Sequence, residues 1–333
     1  MTSETTSLPK IPLTTLGRTG LKTTRLALGT FGWGKVGPEI ARVANERALV
    51  DVLRTAFEAG IRYVDTADQY QNEDDLGRLL PEANPPADLI IATKFGRGEF
   101  TADAFRAHAE RSLKALRLQK LPLLFVHDPR HEQHMQEVLG PGGALEGLRK
   151  LQSEGLVGHV GIATQTIKPL EIAVDSGEFD IIQFPRLYTL LLRVAKTTGL
   201  LAKAKAKNLG TVLAAPFAGN ILATGAVEGA VYSYQPAIPE VMDAVRKMEA
   251  RCAELGTRLP VAACAFAYTE PLLDMTIIGM ARPHEVAWNV APFGANLTRE
   301  QLDSIADAGA IDPNLLGGPD FVGSRPADRP FVR

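Results

Sequence analysis

Short apolar runs alternate along this chain with longer amphipathic stretches. The short runs are dense in Val, Ile and Leu without polar alternation, which is typical of parallel strands that are covered on both faces. The pattern predicts eight strands, at 25–31, 63–66, 89–95, 121–127, 157–163, 181–184, 211–215 and 275–279. It predicts helices at 44–59, 103–117, 134–154, 167–176, 194–208, 238–255 and 259–270.

Eight strands that alternate with helices leave two architectures open, a closed barrel and an open, doubly wound sheet. We favour a single (β/α)8 TIM barrel, because the first strand is followed by GTFGWGKVG. Its glycine spacing does not match the GxGxxG that opens a helix in dinucleotide-binding sheets. A β-hairpin over 13–28 is predicted to close the N-terminal end of the barrel. The Gly- and Ala-rich segment 217–237 predicts a long active-site loop with a short helix.

On this interpretation the 333 residues divide into a flexible N-terminus at 1–12, the barrel at 13–310 and a C-terminal loop and tail at 311–333. A net charge of −2, without runs of like charge, argues against nucleic acid or an anionic membrane as a partner. No apolar run reaches the roughly 18 residues of a membrane span. The polar N-terminus lacks a signal-peptide core, so we expect a cytoplasmic protein. Cys252 and Cys264 are expected to be buried thiols, which fits a reducing compartment.

The residues that could carry chemistry follow the strands, because the active site of such a barrel forms where its strands end. Asp65 and Tyr70 follow the second predicted strand. Lys94 and His127 end the third and the fourth. Polar groups at the ends of apolar strands cost free energy unless they are paired or used, so we expect the four side chains to converge on one mouth. Taken singly, such a lysine is commonly a surface group and such a histidine a satisfied hydrogen-bonding residue.

These four side chains suit proton transfer that is coupled to hydride transfer. A carbonyl that receives hydride must gain a proton, and an alcohol that loses hydride must lose one. Tyr70 can serve in both directions if the Lys94 ammonium favours its phenolate, with Asp65 holding Lys94 charged and in place. His127 would hydrogen-bond the substrate oxygen and fix its geometry.

Two other classes of protein remain open from the residues alone. A metal-dependent hydrolase or lyase could use Asp65, His127 and Asp128, but the sequence has no HxH pair and no second strand-end histidine. A cofactor-binding regulatory subunit would not need to keep all four of the residue types. We therefore favour an enzyme.

Several stretches of the chain together carry a family resemblance. They are the spacing Asp65-x4-Tyr70 with Lys94 and His127 on later strands, the opening LGRTGLKTTRLALGT, EAGIRYVDT at 58–66, and the segment 145–155. Together they resemble the aldo-keto reductase superfamily over nearly the whole chain. His127-Asp128, AAPF at 214–217 and IGM at 278–280 are similar to its sugar dehydrogenase branch, such as the L-galactose, L-fucose and D-threo-aldose 1-dehydrogenases.

The resemblance implies a metal-free oxidoreductase that moves hydride between NAD or NADP and a sugar C1 alcohol or a carbonyl compound. A broad-specificity NADPH-dependent aldehyde or ketone reductase is the alternative. The resemblance also implies the roles given above for Asp65, Tyr70, Lys94 and His127. It implies that Gln183 binds the nicotinamide carboxamide and that Asn289 lies toward the adenine. A helix that begins near Pro283 would offer amide donors to a phosphate. The implied cofactor contacts are Thr30, Asp65, Thr164, Gln183, Pro216, Phe217, Gly219, Gly279, Met280, Arg282, Glu285 and Asn289.

The chain departs from the family pattern at two places. Ala163-Thr164 stands where many members have Ser-Asn, and Ala214 stands where an aromatic residue usually stacks on the nicotinamide, a role that Phe217 could take in part. Glu285 would repel the 2′-phosphate of NADP, whereas Arg282 would attract it, and we lean to NAD.

Two residues are candidates for binding the substrate. Trp33, close to Phe31 after the first strand, either forms an apolar platform for the substrate or packs within its loop. Asp128 either binds a substrate hydroxyl or caps the loop before Pro129. We expect only small-molecule partners, and the exact substrate, the direction of reaction and the choice between a monomer and a homo-oligomer stay open.

Overall fold

A closed barrel of eight parallel strands forms the centre of the protein within residues 8–33, 45–96, 98–233 and 235–316, which the computed structural model describes. The strands in these ranges are β1 (Leu13–Thr15), β2 (Lys22–Thr24), β3 (Leu26–Gly29), β4 (Tyr63–Asp65), β5 (Ile90–Gly96), β6 (Leu121–His127), β7 (Val157–Ala163), β8 (Ile181–Pro185), β9 (Gly210–Ala214), β10 (Val231–Tyr232), β11 (Gln235–Pro236) and β12 (Met275–Gly279). The barrel runs from β3 to β9 and closes through β12, which pairs with both β9 and β3. The predicted barrel and its strands are confirmed, each within two residues of its predicted bounds.

Helices cover the outer face of the barrel and bury their apolar sides against it. They are α1 (Glu46–Glu58), α2 (Glu73–Leu79), α3 (Ala102–Leu116), α4 (Glu132–Leu139), α5 (Ala144–Ser153), α6 (Ile167–Ser176), α7 (Val194–Thr197), α8 (Leu200–Ala206), α9 (Ile221–Thr224), α10 (Pro239–Glu254), α11 (Leu259–Tyr268), α12 (Pro283–Val290) and α13 (Arg299–Ala308). In α1, for example, Leu49, Val52, Leu53 and Ala56 recur at helical spacing and are buried.

Two of the predicted helices are each divided in two. The pattern predicted one helix at 134–154, but Pro141 cannot donate a backbone hydrogen bond and stands among glycines, so α4 ends before it and α5 begins after it. The predicted helix at 194–208 is interrupted at Gly199, whose φ of 79° is left-handed. The pattern did not predict α2, which is short and begins with three acidic residues. It also missed α13, although the capping box formed by Thr298 and Gln301 marks its start.

The predicted N-terminal hairpin is formed by β1 and β2, which pair in an antiparallel manner. Leu16, in its turn, is fully buried among residues of the barrel interior such as Tyr63 and Phe125. A Cβ atom on Gly17 would lie 2.3 Å from the backbone nitrogen of Gly210, so the turn lies directly against the start of β9. The hairpin closes the N-terminal end of the barrel and leaves the C-terminal ends of the strands to form a site.

The remaining segments are the long loop, the two cysteines and the two ends of the chain. The loop at 217–237 contains the short α9 and the paired strands β10 and β11. Cys252 and Cys264 are buried and free, as predicted. Of the predicted N-terminus and tail, residues 1–7 and 317–333 lie outside the described residues, whereas Ile11 and Leu316 are buried in the core. None of the helices in the described ranges is long and apolar enough to cross a membrane.

Candidate active site

A cavity of about 820 Å³ lies at the C-terminal ends of the barrel strands. The structure brings the four predicted catalytic side chains to its wall, from three neighbouring strands and the turn after one of them. Asp65 ends β4, and Tyr70 ends the short 3-10 helix Asp68–Tyr70 that follows. Lys94 lies on β5, and His127 ends β6. Parallel pairing of these strands sets the four groups at the same end of the barrel.

The ammonium group of Lys94 is held by two oxygen atoms. Its Nζ donates to Oδ2 of Asp65 at 2.7 Å and to the backbone oxygen of Thr66 at 2.7 Å. The two side chains are 1% and 5% exposed, so the ion pair is almost completely removed from bulk water. An ion pair in such surroundings keeps one geometry, because each partner would be left as a buried charge without the other.

Tyr70 stands between this ion pair and two further rings. The Nζ of Lys94 lies 5.0 Å from the centroid of the Tyr70 ring, close enough for its positive charge to favour the phenolate form. The ring of His127 meets that of Tyr70 edge-on, with centroids 6.2 Å apart and planes at 80°. Phe31 packs against Tyr70 with centroids 5.2 Å apart and an interplanar angle of 66°. The phenol is therefore placed by packing, with a cation and an imidazole beside it.

Burial shifts the pKa of both members of the ion pair toward their neutral forms. Loss of water raises the pKa of Asp65, although Lys94 and the amide of Gln183 oppose the shift. Burial likewise lowers the pKa of Lys94, which Asp65 and more weakly Glu73 oppose. The charged state of each residue thus depends on the other.

Another part of the cavity wall is the segment around α12. The carboxylate of Glu285 accepts hydrogen bonds from the backbone nitrogens of Ala281 at 2.7 Å and Arg282 at 3.2 Å. It also pairs with the guanidinium of Arg282 at 3.0 Å. Asn289 is 6% exposed and donates through Nδ2 to the backbone oxygen of Glu285 at 2.8 Å. This end of the cavity carries a helix N-terminus that is already capped by a carboxylate.

Strained backbone surrounds the cavity. Left-handed φ angles occur at the following cavity-lining residues other than glycine: Asp128 (57°), Arg186 (63°), Ala215 (52°), Asn220 (150°) and Ser233 (50°). Such conformations are unfavourable for residues with a side chain and tend to collect at functional sites. Here they turn the chain sharply after β6, β8 and β9 and in the long loop.

Two of the predicted site residues do not line the cavity. The hydroxyl of Thr30 donates to the backbone oxygen of Asp65 at 3.0 Å and is fully buried. Trp33 is 8% exposed, and its Nε1 donates to the backbone oxygen of Met280 at 2.7 Å. Trp33 thus packs beneath the rim, the plainer of its two interpretations, while Phe31 faces the cavity. The following residues, 34–44, lie outside the described part of the chain.

The other predicted contacts all line the cavity, together with several residues that the sequence did not indicate. The predicted residues are Asp128, Thr164, Gln183, Pro216, Phe217, Gly219, Gly279, Met280, Arg282, Glu285 and Asn289. Those not predicted include Arg130, Gln165, Arg186, Ser233, Arg258 and Trp288. Arg130 and Arg186 each follow a predicted strand end by a few positions, which is the signal that could have found them.

Comparisons with known proteins show the family of the chain. The aldo/keto reductase family model matches residues 25–310. A D-threo-aldose 1-dehydrogenase from a Pseudomonas species is 29% identical over 298 residues, covering 79% of this chain and 89% of the relative. L-galactose dehydrogenase from Arabidopsis thaliana is 30% identical over 299 residues, covering 85% and 88%. The solved holo structure of an aldo-keto reductase from Bacillus halodurans shares the fold, with a TM-score of 0.72, 19% identity and coverage of 91% of this chain and 98% of the other.

The chain belongs to the aldo/keto reductase family, and the resemblance noted from its sequence is confirmed. It is an NAD(P)-dependent oxidoreductase.

The environment of Gln183 shows whether the cavity suits the nicotinamide of such a cofactor. Its side chain is buried, and its Oε1 has no hydrogen-bond partner among the described residues. An unpaired buried acceptor costs roughly 1–3 kcal/mol, so this atom suits a ligand that donates hydrogen bonds, as a carboxamide does.

Proposed function

We propose that the protein oxidises a neutral aldose at C1, with Tyr70 as the base that removes the hydroxyl proton. One observation carries the proposal: the Lys94 ammonium, held by Asp65, lies beside the Tyr70 ring at the wall of the cavity. A phenol in this position can release and recover a proton, because the neighbouring positive charge lowers the cost of the phenolate. The named dehydrogenases among its relatives support a sugar as the substrate class.

The chain's own residues manage the proton and the position of the substrate oxygen. The bound nicotinamide supplies the acceptor or donor of hydride. In oxidation, the Tyr70 oxygen would take the proton of the C1 hydroxyl, while the C1 hydrogen would leave as hydride to a bound nicotinamide and the sugar would become a lactone. His127, whose ring faces Tyr70, donates to the same substrate oxygen and orients it. Carbonyl reduction uses the same groups in reverse.

The charges at α12 favour NAD over NADP. The Glu285 carboxylate already caps the positive end of the helix through Ala281 and Arg282. It also neutralises the guanidinium of Arg282, the group that would attract a 2′-phosphate. The 2′-phosphate of NADP would be repelled by the Glu285 carboxylate and would have to separate it from Arg282 in order to bind.

Replacement of Tyr70 by Phe tests the proposal. Tyr70→Phe should lower turnover of aldoses by about 10²- to 10⁴-fold, because the proton acceptor is lost while the ring stays. Tyr63→Phe is the matched control, since the Tyr63 hydroxyl is buried without a hydrogen-bond partner in the described residues and does not line the cavity. Turnover is followed through the absorbance of reduced nicotinamide, and cofactor binding through its fluorescence. Tyr70→Phe should still bind cofactor, and full turnover in this variant would refute the assignment.

A further inference from the structure

The segment that follows β6 is tied to its surroundings at each residue. The backbone nitrogen of Asp128 donates to Ala163 at 2.7 Å, at the end of the neighbouring strand. The oxygen of Pro129 accepts from the hydroxyl of Thr164 at 2.8 Å. The nitrogen of Arg130 donates to Nδ1 of His134 at 3.1 Å. Burial lowers the pKa of His134, so its neutral ring is available to accept this bond. The segment is therefore organised before any substrate arrives.

Within this segment, Arg130 and Asp128 form an ion pair at the cavity wall. Nε and Nη2 of Arg130 both donate to Oδ2 of Asp128, at 2.9 and 2.7 Å. The side chains are only 16% and 11% exposed, and both line the cavity next to His127. A guanidinium has five N–H donors, and two of those of Arg130 are used on Asp128. The other donors have no hydrogen-bond partner in the part of the chain that the structure describes.

The chemistry of this pair selects the kind of ligand that it can hold. A carboxylate ligand would meet Arg130 and Asp128 together, so the attraction of one charge is largely cancelled by the repulsion of the other. A hydroxyl group both donates and accepts, so two neighbouring hydroxyls can accept from the guanidinium and donate to the carboxylate. An unsubstituted aldehyde has only its reacting oxygen, so it offers no acceptor to the remaining donors of Arg130.

We propose that Arg130 and Asp128 form a subsite for two adjacent hydroxyl groups of an uncharged sugar. Arg130 selects polyhydroxylated substrates over simple aldehydes and over sugar acids. The proposal rests on the function proposed above, because it places the subsite beside His127, next to the carbon that reacts. The two proposals can be told apart, because loss of the subsite would change the selectivity between substrates, whereas loss of Tyr70 would stop the reaction itself.

The ratio of two specificity constants in one preparation tests the role of Arg130. We divide kcat/KM for oxidation of the best aldose by kcat/KM for reduction of an unhydroxylated aldehyde. In Arg130→Met this ratio should fall about 10- to 100-fold, the effect of losing hydrogen bonds to a charged group. Arg130→Lys should recover only part of it, because an ammonium cannot present a planar fork. Arg149→Met is the matched control, since Arg149 pairs with Glu178 at the surface and does not line the cavity.

A series of monodeoxy analogues of the best aldose provides the second arm. The wild type should lose efficiency with an analogue that lacks a recognised hydroxyl. Arg130→Met should lose less with that same analogue, because only the hydrogen bond to Asp128 remains to be lost. A ratio that stays constant in Arg130→Met while both rates fall would show a merely structural role and overturn the subsite.

The outcomes also separate this proposal from the proposed function. A wild type that prefers sugar acids or unhydroxylated aldehydes, with turnover that still requires Tyr70, would overturn the subsite and leave the acid–base assignment standing. A wild type in which Tyr70→Phe has no effect would overturn the proposed function instead.

Discussion

The Nζ of Lys94 donates a 2.7 Å hydrogen bond to Oδ2 of Asp65, and both side chains are almost completely buried. The pair joins the ends of two neighbouring strands, β4 and β5, beneath the ring of Tyr70. Taking two charges out of water costs several kcal/mol per ion, and their mutual attraction offsets this only in good geometry. The same two side chains therefore affect both the stability of the fold and, through the charge of Lys94 beside Tyr70, the proposed proton transfer.

This link predicts that stability and turnover can be separated by mutation. Lys94→Met leaves the Asp65 carboxylate buried beside an apolar chain and should cost about 3–5 kcal/mol of unfolding free energy. The double variant Asp65→Asn/Lys94→Met removes both charges and should regain most of that stability, while turnover stays lost because no cation remains beside Tyr70. Denaturant unfolding and turnover measure the two effects. A double variant no more stable than the single one would contradict this account.

Glu285 is expected to decide the choice between the two dinucleotides. Glu285→Gln keeps an acceptor for the backbone nitrogens of Ala281 and Arg282 but removes the negative charge. The ratio of the Kd for NADP to the Kd for NAD should then fall about 10-fold, because the repulsion is lost and the Arg282 guanidinium is no longer neutralised. Titration of the free enzyme with both dinucleotides gives the ratio. Glu300→Gln, in the first turn of α13, serves as the control, and an unchanged ratio in Glu285→Gln would exclude this role.

Gln183 is expected to act only on the nicotinamide half of the cofactor. Its Oε1 is buried in the cavity wall and has no partner in the described ranges, so Gln183→Leu keeps the volume and removes the acceptor. The affinity for NAD should fall about 10-fold, the effect of one hydrogen bond, whereas the affinity for ADP-ribose should not change. Calorimetric titration with the two ligands makes the comparison within one variant. Equal losses for both ligands would place the effect elsewhere.

A buried carboxylate outside the cavity predicts a pH-dependent stability. Glu270 is completely buried and accepts from the hydroxyl of Tyr188 and from Nζ of Lys196. Burial alone would raise the pKa of Glu270, but the hydrogen bonds from Lys196, Tyr188 and the backbone of Leu272, together with the charge of Lys196, hold the pKa below its ordinary value of 4.5. A depressed carboxylate pKa stabilises the fold above the ordinary value, and that contribution is lost as the pH falls through the folded-state pKa.

Glu270→Gln should therefore cost about 1–3 kcal/mol of unfolding free energy at neutral pH. The difference from the wild type should narrow only below pH 4.5, where the wild type begins to lose the same contribution. Denaturant midpoints at neutral and acidic pH measure it. Glu254→Gln is the control, because Glu254 pairs with Arg251 at the surface and is 64% exposed. A gap that stays constant into acid would show that the charge of Glu270 contributes nothing.

Much of the fold could be predicted from the sequence because the barrel strands are buried on both faces. Such strands are continuous apolar runs, and their ends mark where polar residues such as Lys94 and His127 begin the site. Breaks within helices were harder to predict. Apolar residues keep their helical spacing across Pro141 and Gly199, so periodicity alone joins helices that the backbone separates.

Side-chain destinations could not be predicted where partners are distant in sequence. Trp33 follows a strand end, as a substrate platform would, yet its indole is bound by Met280. Arg130 lies in a polar loop, yet its side chain is only 16% exposed at the cavity wall, in a segment that Ala163 and Thr164 of the neighbouring strand end hold in place. In both cases the local sequence fits a surface position as well as a buried one, and contacts with residues far along the chain determine which of the two forms.

The amino-acid sequence by itself determined the number and order of the barrel strands, the end of the barrel at which the candidate site lies, and the residue types that meet there. The strands can be recognised from apolar runs over a few neighbouring residues, and the residue types at their ends can be read directly from the sequence. Only the tertiary structure decided which side chains enter the cavity and what charge each can keep. Those properties depend on left-handed turns at strand ends, as at Asp128, and on the removal of water around pairs such as Asp65 and Lys94, which exist only after the barrel has closed.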